Sequence, residues 1–149
     1  MPDLQTIVLE THRTPAAAQM EPSDDLWERI SLLQPDDRIL LELYFRARAT
    51  YRQIGRIVDR PPGSVNRAIR RLGKRLHDPL VLTLLHPDCP LDPVYRQIGV
   101  EHFLVGRVVP QLAREHGLPA ARVRRIVQFV RSWHRGMAAR VGAPRGRGG

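Results

Sequence analysis

The sequence predicts an all-α protein with two small helix-turn-helix units joined by a proline-rich linker. Apolar residues recur at the three- and four-residue spacing of helices in most segments between residues 23 and 135. Proline, serine, threonine or aspartate stands at the start of several of these segments, as helix N-termini favour. The 149 residues, 42% of them apolar, suffice for the cores of one or two small domains. A large multidomain enzyme does not fit this length.

Charge is distributed unevenly along the chain. The net charge is +9, from 24 Lys and Arg against 15 Asp and Glu. Residues 1–45 hold nine of the acids and three arginines, whereas residues 46–149 hold six acids and 21 cations. The cationic part favours a polyanionic partner, of which nucleic acid is the leading class.

Two helices are predicted before the first basic segment. Residues 1–22 carry a short strand pattern at 6–9 without a partner strand, and we expect them to be mostly disordered. Ser23 caps the first helix. Its inward residues are Leu26, Trp27, Ile30 and Leu33. Pro35 starts the second helix, which we expect to end near Ala47. Its inward residues are Ile39, Leu40, Leu43 and Tyr44.

A helix-turn-helix pattern completes this first domain, which spans 23–78. Thr50 and Gln53 fit a capping box at the start of a short helix through Val58. Pro61 and Pro62 break that helix, and Pro62 suits the first turn of the next one. The apolar face of this next helix holds Val65, Ala68, Ile69, Leu72 and Leu76. Its polar and cationic face holds Ser64, Asn66, Arg67, Arg70, Arg71 and Lys74.

The segment at 79–93 is interpreted as a linker. Prolines at 79, 87, 90 and 93 surround an apolar run at 80–85, which we expect to pack against a domain. A domain boundary is therefore expected near 86–93.

A second helix-turn-helix domain is predicted at 94–135. Its helices are expected at 94–105, at 110–116 with Gly117 as the stop, and after Pro119 through about residue 135. The inward face of the last helix holds Val123, Ile126, Val127, Val130 and Trp133. Its outward residues are Arg122, Arg124, Arg125, Gln128 and Arg131. Residues 136–149, with five glycines, are expected to form a flexible basic tail.

Two internal repeats compete in this sequence. Tyr-Arg-Gln-Ile-Gly occurs at 51–55 and at 95–99, but continuing that register would place Pro110 inside a recognition helix, at a cost of about 3 kcal/mol. A wider offset instead aligns residues of the same type. Both copies then hold an apolar residue, a tiny residue, a helix-breaking residue at the turn and an apolar residue early in the second helix. We call this alignment the long register. Its pairs are Ile54 with Leu112, Gly55 with Ala113, Pro61 with Pro119 and Val65 with Val123.

The first copy also carries a recognisable pattern. Residues 32–45, 50–55, 63–65 and 72–76 read LLQPDDRILLELYF, TYRQIG, GSV and LGKRL. In this order they resemble region 4 of the sigma-70-class transcription initiation factors, over about residues 24–76. The resemblance implies a recognition helix that enters the major groove of a promoter's upstream element. The implied DNA contacts are Pro62, Gly63, Asn66 and Arg67. It also implies contact with bacterial RNA polymerase, which the family makes through this domain.

We therefore expect a sequence-specific, double-stranded-DNA-binding transcriptional regulator. A complete sigma factor would also carry a promoter-melting domain with aromatic residues that capture flipped bases, and 149 residues leave no room for one. Expected phosphate contacts are Arg52, Arg56, Arg71, Lys74, Arg122, Arg131 and the tail. Expected base-edge contacts are Asn66, Arg67, Arg70, Arg124, Arg125 and Gln128.

Other function classes are weighed against this one. The second unit, with Phe129 and Trp133, could instead dock RNA polymerase or a partner transcription factor, which would make the protein an adaptor, and a homodimer stays open. His77, His86, Cys89 and His102 match no zinc-finger spacing, so we expect no metal or cofactor. No nucleophile triad, phosphate loop or metalloprotease motif occurs, so we expect no enzyme. With one cysteine, no leader and no apolar run of membrane length, we expect a cytoplasmic protein without membrane contact.

Overall fold

The computed structural model describes residues 22–142, with side chains through residue 140. Every regular element in this range is helical, which confirms the all-α class. The chain divides after Leu76 into two compact units. The strand pattern at 6–9, the predicted disorder before residue 22 and the last seven residues of the predicted tail lie outside the described range.

Within residues 22–76, the first unit has four helices. They are α1 (Asp24–Ser31), α2 (Pro35–Phe45), α3 (Tyr51–Val58) and α4 (Pro62–Leu76). The Ser23 hydroxyl accepts a hydrogen bond from the Leu26 amide at 3.2 Å, which caps α1. Thr50 Oγ1 accepts from the Gln53 amide at 3.1 Å while Gln53 Oε1 accepts from the Thr50 amide at 2.8 Å, so the predicted capping box is confirmed.

The predicted apolar face of α4 forms the core of this unit. Val65, Ala68, Ile69, Leu72 and Leu76 are all buried. They pack in the same unit as Leu40, Leu41 and Tyr44 of α2 and Ile54 of α3, which are buried as well. The prediction for Ile39 was wrong: it is 43% exposed, whereas Leu41 is 1% exposed. Apolar residues surround most of α2, so their spacing alone does not fix which arc faces inward.

The described part of the second unit, residues 77–142, also has four α-helices. They are α5 (Pro79–Leu85), α6 (Pro93–Val100), α7 (Val109–His116) and α8 (Ala120–Gly142), and a π-helical turn, Glu101–Val105, continues α6. Its core includes Leu84, Ile98 and Leu112, together with the predicted inward face of α8. Val123, Ile126, Val127 and Val130 are buried, and Trp133 is partly buried against them.

The linker predicted at 79–93 requires a correction. Its apolar run forms α5, which begins at Pro79, and Asp78 Oδ1 accepts from the Leu80 amide at 2.9 Å. Pro93 likewise begins α6, whose cap is Asp92. Proline at the first helical turn loses no hydrogen bond, so two of the four prolines start helices instead of breaking them. The second unit accordingly begins at His77 and not at residue 94.

The predicted flexible tail is also corrected in part. Helix α8 continues to Gly142, well into the segment that the glycine content predicts to be flexible. Met137, Ala138, Ala139 and Arg140 are strong helix formers, and they offset the cost of Gly136. None of the helices within residues 22–142 combines the length and apolar character needed to span a bilayer.

Candidate nucleic-acid interface

The turn between α3 and α4 is tight. Asp59 ends α3 in the left-handed region, with φ of 57°, and its amide donates to the Gly55 carbonyl. The Arg60 amide donates to the same oxygen at 2.8 Å. A Cβ atom on Gly55 would lie 2.4 Å from the Arg60 carbonyl oxygen. Only glycine permits this close approach, in agreement with the apolar-then-tiny pattern of the sequence.

Opposite its buried face, α4 presents a line of cations. Arg67, Arg70, Arg71 and Lys74 are exposed, and residues 62–76 contain no acid. Within the part of the chain that the structure describes, none of the four is ion-paired with a carboxylate. No described carboxylate therefore neutralises these four charges.

Other predicted contacts of the first unit lie in different environments. Pro62 and Gly63 are exposed at the start of α4. Arg56 is exposed on α3. Ser64 is half-buried, and its hydroxyl accepts from Arg60 Nη2 at 3.1 Å. Arg52 and Asn66 are half-buried, and Asn66 Oδ1 is covered without a hydrogen-bond partner among the described residues. The exposed set thus excludes the amide oxygen of Asn66, which an adenine contact would use.

A shallow cleft of about 470 Å³ lies at this turn. Its charged lining comprises Arg52, Arg56, Arg60 and Asp59. Three arginines against one aspartate make the cleft cationic beside the start of α4. Arg60 is not among the predicted contacts, because in the sequence it is recognisable only as part of the Arg-Pro-Pro-Gly breaker.

The turn between α7 and α8 repeats the geometry of the first turn. Gly117 ends α7 with φ of 62°, and its amide donates to the Ala113 carbonyl. The Leu118 amide donates to that same oxygen at 3.0 Å. The Val123 amide donates to the Pro119 carbonyl at 3.1 Å, as the Val65 amide does to Pro61 at 3.2 Å. The two turns therefore share this hydrogen-bond pattern at positions that the long register pairs.

The outward face of α8 is cationic near its start and mixed further along. Arg122, Arg124, Arg125, Gln128 and Arg131 are all exposed, and residues 120–142 contain no acid. The Arg131 guanidinium lies 5.4 Å from the centre of the Phe103 ring. Phe129 is 50% exposed, with its ring edge-on to Tyr95 at 5.4 Å.

Two acids of the second unit are bound to cations of the same unit. Glu101 accepts from Arg107 Nη1 at 3.0 Å and contacts His116 Nε2 at 2.5 Å. Glu115 contacts the same Arg107 nitrogen at 2.9 Å. These pairs connect the π-helical turn with the end of α7. They engage the two glutamates, so neither neutralises the arginines of α8.

The four residues considered for metal binding do not assemble into a site. His86 Nδ1 accepts from the Asp88 amide at 3.1 Å, and His102 Nδ1 lies 2.9 Å from the Arg107 carbonyl oxygen. Among the residues with described side chains, no group of three histidine, cysteine or acidic side chains is arranged to hold a metal ion.

Comparisons of the chain with protein-family models, with curated proteins and with solved structures return no match. The functional assignment therefore rests on the sequence pattern and the geometry of the two turn-helix surfaces.

Proposed function

We propose that this protein is a transcriptional regulator that binds duplex DNA sequence-specifically, with α4 as its recognition helix. The observation that carries the proposal is the exposed line of Arg67, Arg70, Arg71 and Lys74, none of which pairs with a carboxylate of the described residues, on a helix that follows a tight turn. An α-helix fits the major groove of B-DNA, which is about 12 Å wide. The 15 residues of α4 give it a length of about 22 Å, enough to follow that groove over several base pairs.

The cations of this surface have two roles in the proposal. Arg67 lies in the N-terminal half of α4, the part that helix-turn-helix proteins insert most deeply, and its planar guanidinium suits the two acceptors of guanine. Arg71 and Lys74 lie further along the helix, and Arg56 lies on α3, where phosphate contacts are expected. The resemblance to sigma region 4 extends over this same unit and favours promoter DNA as the target.

A salt titration tests the proposal. DNA fragments are selected from a random pool with the full chain, and binding is measured by gel shift between about 50 and 200 mM salt. With six to ten phosphate contacts, the affinity should fall by about 10³ to 10⁵ over that range. An affinity that hardly changes with salt, or no binding at low salt, would contradict the proposal.

A second candidate function is a protein-docking adaptor. The half-exposed Phe129 beside Tyr95 favours it, because exposed aromatic side chains are enriched at protein interfaces. The partner would be RNA polymerase or another transcription factor. An adaptor would bind DNA weakly and retain purified RNA polymerase in a pull-down, and Phe129→Ser should then weaken that retention.

A further inference from the structure

Three helices of the second unit begin at the positions that the long register pairs with helix starts of the first unit. The long register aligns α3 with α7 at both ends, and it also aligns the starts of α4 and α8. Pro35 and Pro93, which begin α2 and α6, are separated by the same offset. The literal Tyr-Arg-Gln-Ile-Gly repeat, in contrast, lies on α3 in one unit and on α6 in the other. The repeat therefore covers more of each unit than the helix-turn-helix alone.

Five pairs of buried positions follow the same register. Each of these pairs consists of two buried apolar residues, one in each unit. The pairs are Ile54 and Leu112, Val65 and Val123, Ala68 and Ile126, Ile69 and Val127, and Leu72 and Val130. Packing explains these pairs, because the same fold must fill its core at equivalent positions.

Two outward positions also keep their residue, and packing does not explain them. Arg56 on α3 aligns with Arg114 on α7, and Arg67 on α4 aligns with Arg125 on α8. All four side chains are exposed. Within the described residues, none of the four forms an ion pair with a carboxylate. An exposed arginine thus recurs at equivalent positions of α3 and α7, and another at equivalent positions of α4 and α8. This recurrence points to a recurring anionic ligand.

The other outward positions of the recognition helices have diverged. Arg70 aligns with Gln128, Arg71 with Phe129 and Lys74 with Ser132. The second surface therefore carries most of its cations at other positions along its helix, and it has a different side chain at a position that can read bases. Arginine favours guanine in the major groove, whereas glutamine favours adenine.

From these alignments we propose that the second unit carries its own surface for duplex DNA, centred on Arg114 and Arg125. This inference rests on the proposed function of the first unit. A single chain then binds a DNA site with two unlike parts, one read through Arg67 and Arg70 and the other through Arg125 and Gln128. Arg114 supplies a phosphate contact that the sequence pattern alone did not identify.

Paired variants of the full chain test the inference on the selected DNA. Arg56→Ala/Arg67→Ala removes the recurring arginines of the first unit, and Arg114→Ala/Arg125→Ala removes those of the second. Arg46→Ala/Arg135→Ala is the matched control, since it removes the same charge from two exposed positions that are not among the expected DNA contacts. Circular dichroism and thermal unfolding verify that each variant is folded.

We expect each of the first two pairs to weaken binding by about 5- to 100-fold and to lower the salt slope by about 1 or more. The control should change affinity by less than about threefold, because a distant exposed charge is largely screened by salt. Selection repeated with Arg125→Ala should lose base preference in one part of the site, and selection with Arg67→Ala should lose it in the other part.

The outcomes separate the two proposals. If only the first pair weakens binding, or if the second pair weakens it no more than the control does, the inference fails while the proposed function stands. If neither pair weakens binding, the proposed function fails. If the second pair leaves DNA binding intact but removes retention of RNA polymerase, the second surface is a protein-docking site and the inference is overturned.

Discussion

Arg67 and Arg71 lie on the same exposed face of α4, separated by about one helical turn. Their position along the helix gives them different tasks in the proposed complex. The N-terminal residues of a recognition helix approach base edges, and residues further along approach the backbone. Sequence preference should therefore depend on Arg67 far more than on Arg71.

Single alanine variants separate these two tasks. Arg67→Ala should cost about 1–3 kcal/mol of binding free energy on the preferred sequence and relax the preference at one position. Arg71→Ala should weaken binding to all sequences alike and lower the salt slope by about 1. Gel-shift titrations on the preferred fragment and on its single-base variants measure both quantities. An equal loss on every sequence for both variants contradicts this division.

For single residues, helical spacing predicts which side chains lie opposite the buried face, but it does not predict exposure at the flanks of a helix. Helical spacing correctly places Arg67, Arg70, Arg71 and Lys74 opposite the buried face. The same spacing does not show that the Asn66 amide oxygen is covered, since Asn66 lies at the flank of the helix where neighbouring side chains decide exposure. Residues on the flanks of a helix depend on packing, which the sequence alone does not specify.

At the level of elements, the two turns fix the starts of α4 and α8. Gly55 is the tightest point of the first turn, because the carbonyl that a Cβ atom would meet belongs to the backbone and has no rotamer with which to move aside. Ala113 stands at the matching point of the second turn, where the Leu118 amide hydrogen bond is longer, 3.0 Å against 2.8 Å for that of Arg60.

Gly55→Ala should consequently destabilise the first unit. A Cβ atom 2.4 Å from the Arg60 oxygen forces the turn to shift, and such overpacking costs about 1–3 kcal/mol. Gly73→Ala is the matched control, since Gly73 lies within α4 and no neighbouring atom lies within 4 Å of the position that its Cβ would take. Alanine there should stabilise the helix by about 0.5–1 kcal/mol.

Urea unfolding followed by circular dichroism measures both changes. The Gly55 variant should have a lower midpoint than the parent chain and the Gly73 variant a higher one. Equal midpoints for the Gly55 variant and the parent would show that the turn accommodates a methyl group.

The helices themselves are largely predictable, and the error at 79–93 arises from the two roles of proline. The starts of α1, α3 and α4 follow from capping residues and a first-turn proline. Proline, however, ends a helix at an interior position and starts one at the first turn. Pro79 and Pro93 act in the second sense, so an interpretation of them as breakers takes α5 for part of a linker.

Over the whole molecule, acids and cations are unevenly distributed, and a helix without acids that carries exposed cations occurs in each unit. The acids of residues 1–45 include those at the starts of α1 and α2, where they suit the positive end of the helix dipole. Helices α4 and α8 contain no acids and carry exposed cations. Net charge attracts DNA of any sequence, so specificity must come from the side chains that reach the bases.

The most direct test of the account is therefore the specificity ratio of the full chain. Affinity for a fragment selected from a random DNA pool is compared with affinity for the same fragment with its recovered motif shuffled, at about 150 mM salt. The account predicts that the selected fragment binds at least about 10³-fold more tightly. Equal affinity for the two fragments would mean that the cations of α4 attract DNA without reading it, and would contradict the account.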